Sequence, residues 1–393
     1  MSKEKTRQGR NRHSRKRSQK KSKFGLIFLL VVILLIIGGF LFKSYSDSQI
    51  RARKVAESIS TSKSVSLSKS GSIKISESIS QSKFENPTLP KNGAVLSYAS
   101  DFPDPFILYA NGEYYAYGTN VVGNILPMMS SKSLQNFQPI GSALSVRPSY
   151  AGFPSTTSPT VAKIGNQYIL YSNVAISGSP KVYVIGAMTA SSPTGPFVQS
   201  GGPLIGGDAG NADYFDPDVF MDGGKTWLAY ATDFGLGNNI WLHQLTNDGL
   251  SLTGSKTTLL LDYTKVKDEN GQPVIRVESP SLIKAADGTY VLFYAANDAD
   301  QNNVYIGWAT GKNLTSEFTD QGPLITSSTF GNSVTGPGEA SLFTDPTGMY
   351  LAFNGWVGDH NGFNIISGGR YMYTLQFVWK DGHIPVFSKK VVS

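Results

Sequence analysis

Four carboxylates stand at the openings of similar stretches of this 393-residue chain: Asp104 in DFPDPF, Asp216 in YFDPDVF, Glu278 in RVESPSL and Glu339 in GPGEASL. An Asp before a Pro ordinarily serves a turn, but acids recurring at repeat starts mark a place where charge is used or paired. Grouped carboxylates are the equipment of glycosidic-bond hydrolysis. One, protonated, gives its proton to the leaving oxygen; another, ionised, activates water; a third raises the donor's pKa by like-charge repulsion. Other chemistries are excluded quickly. The chain has no Cys, so disulfides, thiolate zinc sites and cysteine nucleophiles are out, and its four His form no HExxH pair.

What would bring these acids together is a repeat. Stretches beginning at Asp104, Ser158, Asp216, Ser279 and Glu339 share one plan: a Pro or small residue, an apolar strand, a turn piece (NG, GN, DGG, DG, PTG), then an aromatic-rich strand. A third strand follows in VYVIGAMTA, NIWLHQLT and VYIGWAT, and a fourth region runs to a Gly-Pro or Pro-Leu turn. Four short strands per unit of about 60 residues, five times over, predict an all-β fold, a five-bladed β-propeller spanning residues 86–393. In a propeller the innermost strands of all blades begin around one channel, so equivalent residues converge.

The strips DPFILYANGEYYAYGTN, IGAMTASSPTGPF, FDPDVFMDGGKTWLAYA, VESPSLIKAADGTYVLFYAAND and GPGEASLFTDPTGMYLAF, in this order, resemble glycoside hydrolase family 43 over residues from about 93 to 387. The resemblance implies the five-bladed propeller and an inverting mechanism. Asp104 falls on its general base, Asp216 on its pKa-modulating acid and Glu278 on its general acid. Inversion calls for base and acid about 6.5–9.5 Å apart, with room for water. The ANGEYYAYGTN and YAAND…YIGWAT strips look most like α-L-arabinofuranosidases and arabinanases. Two other readings are a β-xylosidase of the same family and an inactive glycan-binding propeller. A related clan that acts on fructosides by retention carries Arg-Asp-Pro and Asn-Asp-Pro blocks that this sequence lacks.

The chain departs from the family pattern twice. Thr157-Ser158-Pro159 stands where many members have Trp-Ala-Pro, and Glu339 stands where many have a His near an axial metal. No cofactor is required by this chemistry. A structural Ca²⁺ on the axis is compatible with a carboxylate ligand, and Glu339 is equally a candidate for substrate contact or for pairing with an Arg. Asp101 is an alternative base and Asp218 a neighbour of Asp216 on the same strand face. Tyr115, Tyr214, Phe215, Trp308 and Trp356 are candidate sugar platforms, or fillers between blades. Asn297, Asn354 and Arg276 are candidate partners for sugar hydroxyls or carboxylates.

Upstream, residues 25–42 (GLIFLLVVILLIIGGFLF) carry no charge over about 27 Å of helix, enough to span a bilayer. Eleven Lys/Arg precede them in residues 1–24, against one Glu, which by the positive-inside rule places the N-terminus in the cytoplasm and the rest outside. Residues 43–85, where Ser fills nearly every even position from Ser58 to Ser82, read as a solvated, disordered linker. The expectation is a single-pass cell-membrane protein acting outside on arabinose- or xylose-containing glycans. Residues 25–85 add eight Lys/Arg and four acids, so a total of +7 leaves residues 86–393 at −7, unsuited to nucleic acid.

Overall fold

Five hairpin turns set the architecture. Asn111-Gly112 joins Phe106–Ala110 to Glu113–Tyr117 with both turn residues at positive φ, 56° and 81°, as a two-residue hairpin requires. Gly165-Asn166, Gly223-Gly224 and Pro346-Thr347 close later hairpins at Ile164↔Gln167, Asp222↔Lys225 and Asp345↔Gly348. Asp287-Gly288 lies in the turn between Lys284 and Tyr290.

The computed structural model describes residues 94–120, 125–176, 179–207, 212–233, 237–299, 301–357, 360–361, 364–365 and 369–387. Each hairpin grows into a four-stranded antiparallel blade. Blade 1 is Phe106–Ala110, Glu113–Tyr117, Pro127–Ser131 and Gln138–Ser142. Blade 2 is Ala151–Ile164, Gln167–Ile176, Ser179–Ala190 and Val198–Gln199. Blade 3 is Asp213–Asp222, Lys225–Asp233, Asn238–Leu245 and Thr258–Leu261, and blade 4 is Val277–Lys284, Tyr290–Ala296, Tyr305–Gly311 and Thr319–Ile325. Blade 5 takes Thr335–Asp345, Gly348–Val357 and Gly369–Lys380 from the end of the chain and Val95–Tyr98 from the beginning of the propeller. Val95↔Thr374 and Leu96↔Tyr373 pair across that junction, Ser97 Oγ lies 3.0 Å from Thr374 Oγ1, and Ile384–Phe387 pairs further along the same strand.

The five-bladed propeller read from the repeats is therefore the observed fold, and helix among the described residues is limited to two 3₁₀ turns. Among these residues no helix is long and apolar enough to cross a membrane. The apolar run 25–42 and the Ser-rich stretch lie outside the described residues.

Apolar side chains alternate along each strand and meet those of the next blade, so the core is divided into five clusters, one per interface. Phe106, Tyr115 and Met128 face Val161, Tyr168 and Leu170 between blades 1 and 2. Ile169 and Tyr171 face Leu228 and Tyr230 between blades 2 and 3, and Phe220 and Ile240 face Tyr290 and Leu292 between blades 3 and 4. Phe293 meets Phe353 and Phe377 between blades 4 and 5, and Phe102 and Ile107 meet Phe343 and Tyr350 where blade 5 closes on blade 1.

The innermost strands share one irregularity, and it positions the site. Asp104, Ser158, Asp216, Ser279 and Glu339 all adopt left-handed backbone, with φ between 47° and 55°. The register of the inner hairpin slips at this point in blades 2 to 5, between Thr157 and Thr160, Phe215 and Asp218, Glu278 and Ser281, and Gly338 and Ser341. A Pro follows the left-handed residue in four of the five cases. Lacking an N–H, it fits a bulge and not a regular ladder.

Candidate active site

The bulges turn five side chains toward the axis and correct one expectation. The structurally equivalent residues are Asp104, Ser158, Asp216, Ser279 and Glu339, so acids fill three of the five ring positions. Glu278 is not the fourth: it stands one residue ahead of its blade's ring position, still paired in register with Ala295. It nonetheless lines the same cavity of about 530 Å³ as Asp104, Asp216 and Glu339.

Each ring residue is fixed by the neighbouring blade. Thr119 Oγ1 accepts from Ser158 N at 2.8 Å, Asn173 Oδ1 from Asp216 N at 2.6 Å, and Asn354 Oδ1 from Asp104 N at 2.8 Å. From blade 4, Ser279 N donates to Asp216 Oδ2 at 3.2 Å. Satisfying these amides by side chains is what allows the inner strands to leave the ladder.

Asp104 is an acceptor on both oxygens. Arg370 Nη1 donates to Oδ1 at 3.1 Å and the Thr119 hydroxyl donates to Oδ2, with Ser158 Oγ at 3.4 Å. The guanidinium is itself backed by the Trp356 ring, 5.5 Å from its centroid, a cation–π contact. Asp216 accepts from Asn173 Nδ2 at 3.2 Å, while burial and the Asp104 charge raise its carboxyl above the ordinary range.

Glu278 is 7 % exposed, and Asn238 Nδ2 donates to its Oε2 at 3.2 Å. Burial first, then the charges of Asp216, Asp298 and Asp104, push its carboxyl up to about 8, against the opposing Arg276. Arg276 lies 3.8 Å from Glu278 Oε2 and 2.8 Å from Asp298, so its charge is shared between the two carboxyls. The site thus holds a carboxyl that keeps its proton at neutral pH beside a carboxylate supplied with donors. That is the differentiation acid–base cleavage requires.

Of the other sequence candidates, Phe215 lines the cavity, as do Arg276 and Glu339. Tyr115 is buried in the blade 1–2 cluster with its hydroxyl on Glu113 at 3.2 Å, and Trp308 packs in the blade 4–5 cluster, so neither faces the cavity. Trp356 is 2 % exposed, its Nε1 donates to Ala299 O at 3.1 Å, and its ring supports Arg370 without lining the cavity. Asn297 is turned to Asn303 O at 3.2 Å, bracing the segment after blade 4's second strand, and Tyr214 packs on Tyr230. Asp101 Oδ1 accepts from Arg370 N at 2.9 Å and lines a separate cavity beside blade 1. Asp218 does not stay on the face of Asp216, because the bulge intervenes. It accepts from Leu282 N at 3.1 Å, and burial pushes it up to about 7.

Sequence reading missed Arg370, Thr119, Asn173, Asn238, Asp213 and Tyr183, all at the site or holding its acids. One signal was available for some of them. Thr119, Asn173 and Asn354 each fall fifteen residues after the ring residue of their own blade, at 104, 158 and 339.

An axial cation would need several oxygen donors converging on one point. Among the described residues no group of three or more His, Cys, Asp or Glu is so placed, and the ring carboxylates are engaged by hydroxyl, amide and guanidinium donors. The described residues do not fit a carboxylate-held cation, and no step below passes through one.

Residues 97–384 match the family described as Glycosyl hydrolases family 43, and the chain belongs to it. A thermostable family-43 glycoside hydrolase superimposes with a TM-score of 0.64 at 19 % identity, covering 74 % of this chain and 94 % of that one. An endo-1,4-beta-xylanase from Bacteroides thetaiotaomicron gives 0.59 at 23 % identity, covering 74 % and 95 %. An endo-arabinase from the same organism gives 0.58 at 17 % identity, covering 74 % and 100 %. At these identities the likeness is one of fold. No curated protein matches the sequence.

Proposed function

We propose that this glycoside hydrolase cleaves α-L-arabinofuranosyl linkages of arabinan type with inversion, at the outer face of a membrane to which residues 25–42 anchor it. The observation that carries the mechanism is Glu278, protonated up to about pH 8 in a cavity it shares with donor-held Asp104. Glu278 gives its proton to the glycosidic oxygen as the bond to the anomeric carbon breaks. Asp104 takes a proton from water as that water attacks the same carbon from the opposite face. Asp216, whose charge follows burial as the cause of the shift in Glu278, keeps the acid loaded.

Charge around the cavity supports a neutral glycan. Among the described residues Asp213, Asp233 and Asp298 join the ring acids in its wall, against Arg276 and Arg370, so a uronic-acid-rich chain is repelled. The sugar follows from the blade 1 and blade 4 strips that resemble arabinofuranosidases and arabinanases. A β-xyloside is the second reading, because the solved relatives named above include a xylanase as well as an arabinase. Anchoring rests on the apolar run and the eleven basic residues ahead of it.

The test is sugar release from linear arabinan, xylan and the matching aryl glycosides by the full chain and by Glu278→Ala. Arabinose release is expected, with a loss of about 10²–10⁴-fold on the polymer and a smaller loss on the aryl glycoside, whose leaving group needs little acid assistance. Xylose release alone moves the assignment to the second reading. No release from any substrate by folded protein contradicts a hydrolytic role on these sugars.

A further inference from the structure

Glu339 occupies one of the two ring positions at which the sequence departs from the family pattern, and the donors around it decide its state. Asp216 comes first. Its own N–H donates to Asn173 Oδ1 at 2.6 Å, which fixes the orientation of that amide and leaves Nδ2 facing Asp216 Oδ1 at 3.2 Å and Thr157 Oγ1 at 3.0 Å. Asp216 Oδ2 faces Ser279 N at 3.2 Å. Both oxygens of Asp216 therefore meet N–H groups that cannot reverse their polarity, a setting that favours the ionised form.

Ser279 Oγ then lies 3.0 Å from Asp216 Oδ2 and in contact with Glu339 Oε2. A hydroxyl has one proton and two lone pairs. If that proton goes to Asp216, the contact between Ser279 and Glu339 needs a second proton, and only Glu339 can supply it. If it goes to Glu339, Asp216 needs a proton on an oxygen that already faces an N–H.

The surroundings agree with the first arrangement. Glu339 is 8 % exposed and is faced by Asp104 from blade 1, Asp216 from blade 3 and Glu278 from blade 4, all acidic. The two cations that line the cavity among the described residues are committed elsewhere, Arg370 to Asp104 and Arg276 to Asp298. Burial, then the charges of Asp216 and Asp104, hold the Glu339 carboxyl well above the ordinary glutamate value.

We infer that Glu339 is a neutral carboxylic acid whose O–H donates to Ser279 Oγ, while Ser279 donates to Asp216. The chain Glu339–Ser279–Asp216 thereby holds Asp216 as the anion that keeps the acid loaded. Glu339 is a positioning residue, acting through Asp216 on Glu278, and this role rests on the assignment of Glu278 proposed above. Its protonation does not rest on that assignment.

Two measurements on the full chain separate these points. The first is the infrared difference spectrum at neutral pH between wild type and Glu339→Gln, with thermal melts to show that both are folded. Loss of a protonated-carboxyl C=O band is expected. Loss of an ionised carboxylate band overturns the inference, whatever sugar the enzyme cleaves.

The second is the pH profile of kcat on the best substrate. Glu339→Ala and Ser279→Ala are expected to lower kcat by on the order of tenfold, the effect of one hydrogen bond to a charged group, with KM little changed. Glu339→Gln, whose amide still donates to Ser279, should recover most of that loss and leave the alkaline limb in place. An alkaline limb that moves to lower pH in Glu339→Gln, as removal of a negative charge beside Glu278 dictates, overturns the role.

Discussion

A glutamate that holds its proton to about pH 8 is a poor anion where it stands, and this has a cost that can be measured apart from activity. In the folded chain Glu278 stays protonated up to about 8, whereas the ordinary glutamate of an unfolded chain releases its proton near 4.5. Between those values the folded state binds the extra proton, so stability falls as pH rises through the window and levels off above it. Glu278→Gln, neutral at every pH, escapes this. Its melting temperature should match that of wild type near pH 4.5 and exceed it by on the order of 5–10 °C above pH 8. A constant difference across the range contradicts a raised Glu278. Asp104 and Asp216 were identifiable in the sequence because each precedes a Pro at a repeat start. Their partners were not, since Arg370 reaches Asp104 from 266 positions away and only ring closure brings it there.

At the scale of elements, the site depends on five left-handed residues, four of them at bulges. Left-handed backbone costs a residue with a Cβ about 1–3 kcal/mol, and a following Pro restricts it further; five such residues persist because the neighbouring blade ties them down. Ser158 is a ring member with a small side chain, its hydroxyl 3.4 Å from Asp104 and also hydrogen-bonded to Asp216. Replacing it by Gly removes the strain and returns part of the gain to the freer unfolded chain. A net rise in melting temperature of about 1–3 °C is expected by calorimetry, and a fall means that Ser158 is not strained. The hairpins were legible because turn pieces such as Asn111-Gly112 and Gly223-Gly224 demand positive φ. The bulges were not, because a Pro in an apolar run does not by itself say which side chain is re-aimed. For the same reason the sequence does not distinguish Glu278 from Asp104 and Asp216, although it stands one residue ahead of its blade's ring position.

For the whole molecule, closing the ring is what makes one cavity out of five repeats. The fourth position of blade 5 is filled by Val95–Tyr98, which lies before the first repeat and pairs with a strand about 275 residues later, so nothing local announced its partner. Closure packs Phe102 and Ile107 against Phe343 and Tyr350, and it brings the Asp104 amide to Asn354. Asp104 and Glu278, the proposed base and acid, thus come from blades 1 and 4, across a channel whose width no single repeat determines. The same closure places aromatic residues that the sequence offered as sugar platforms, Tyr115 and Trp308, between blades, leaving Phe215 and Tyr183 in the cavity wall. The central claim is that Glu278 and Asp104 act from opposite faces of a single bond. The most direct measurement is proton NMR of the sugar at the moment of release from an α-L-arabinofuranosyl substrate, before its anomers equilibrate. The account predicts that the β-anomer appears first, since water enters opposite the departing oxygen. First appearance of the α-anomer means retention through a covalent intermediate, and contradicts it.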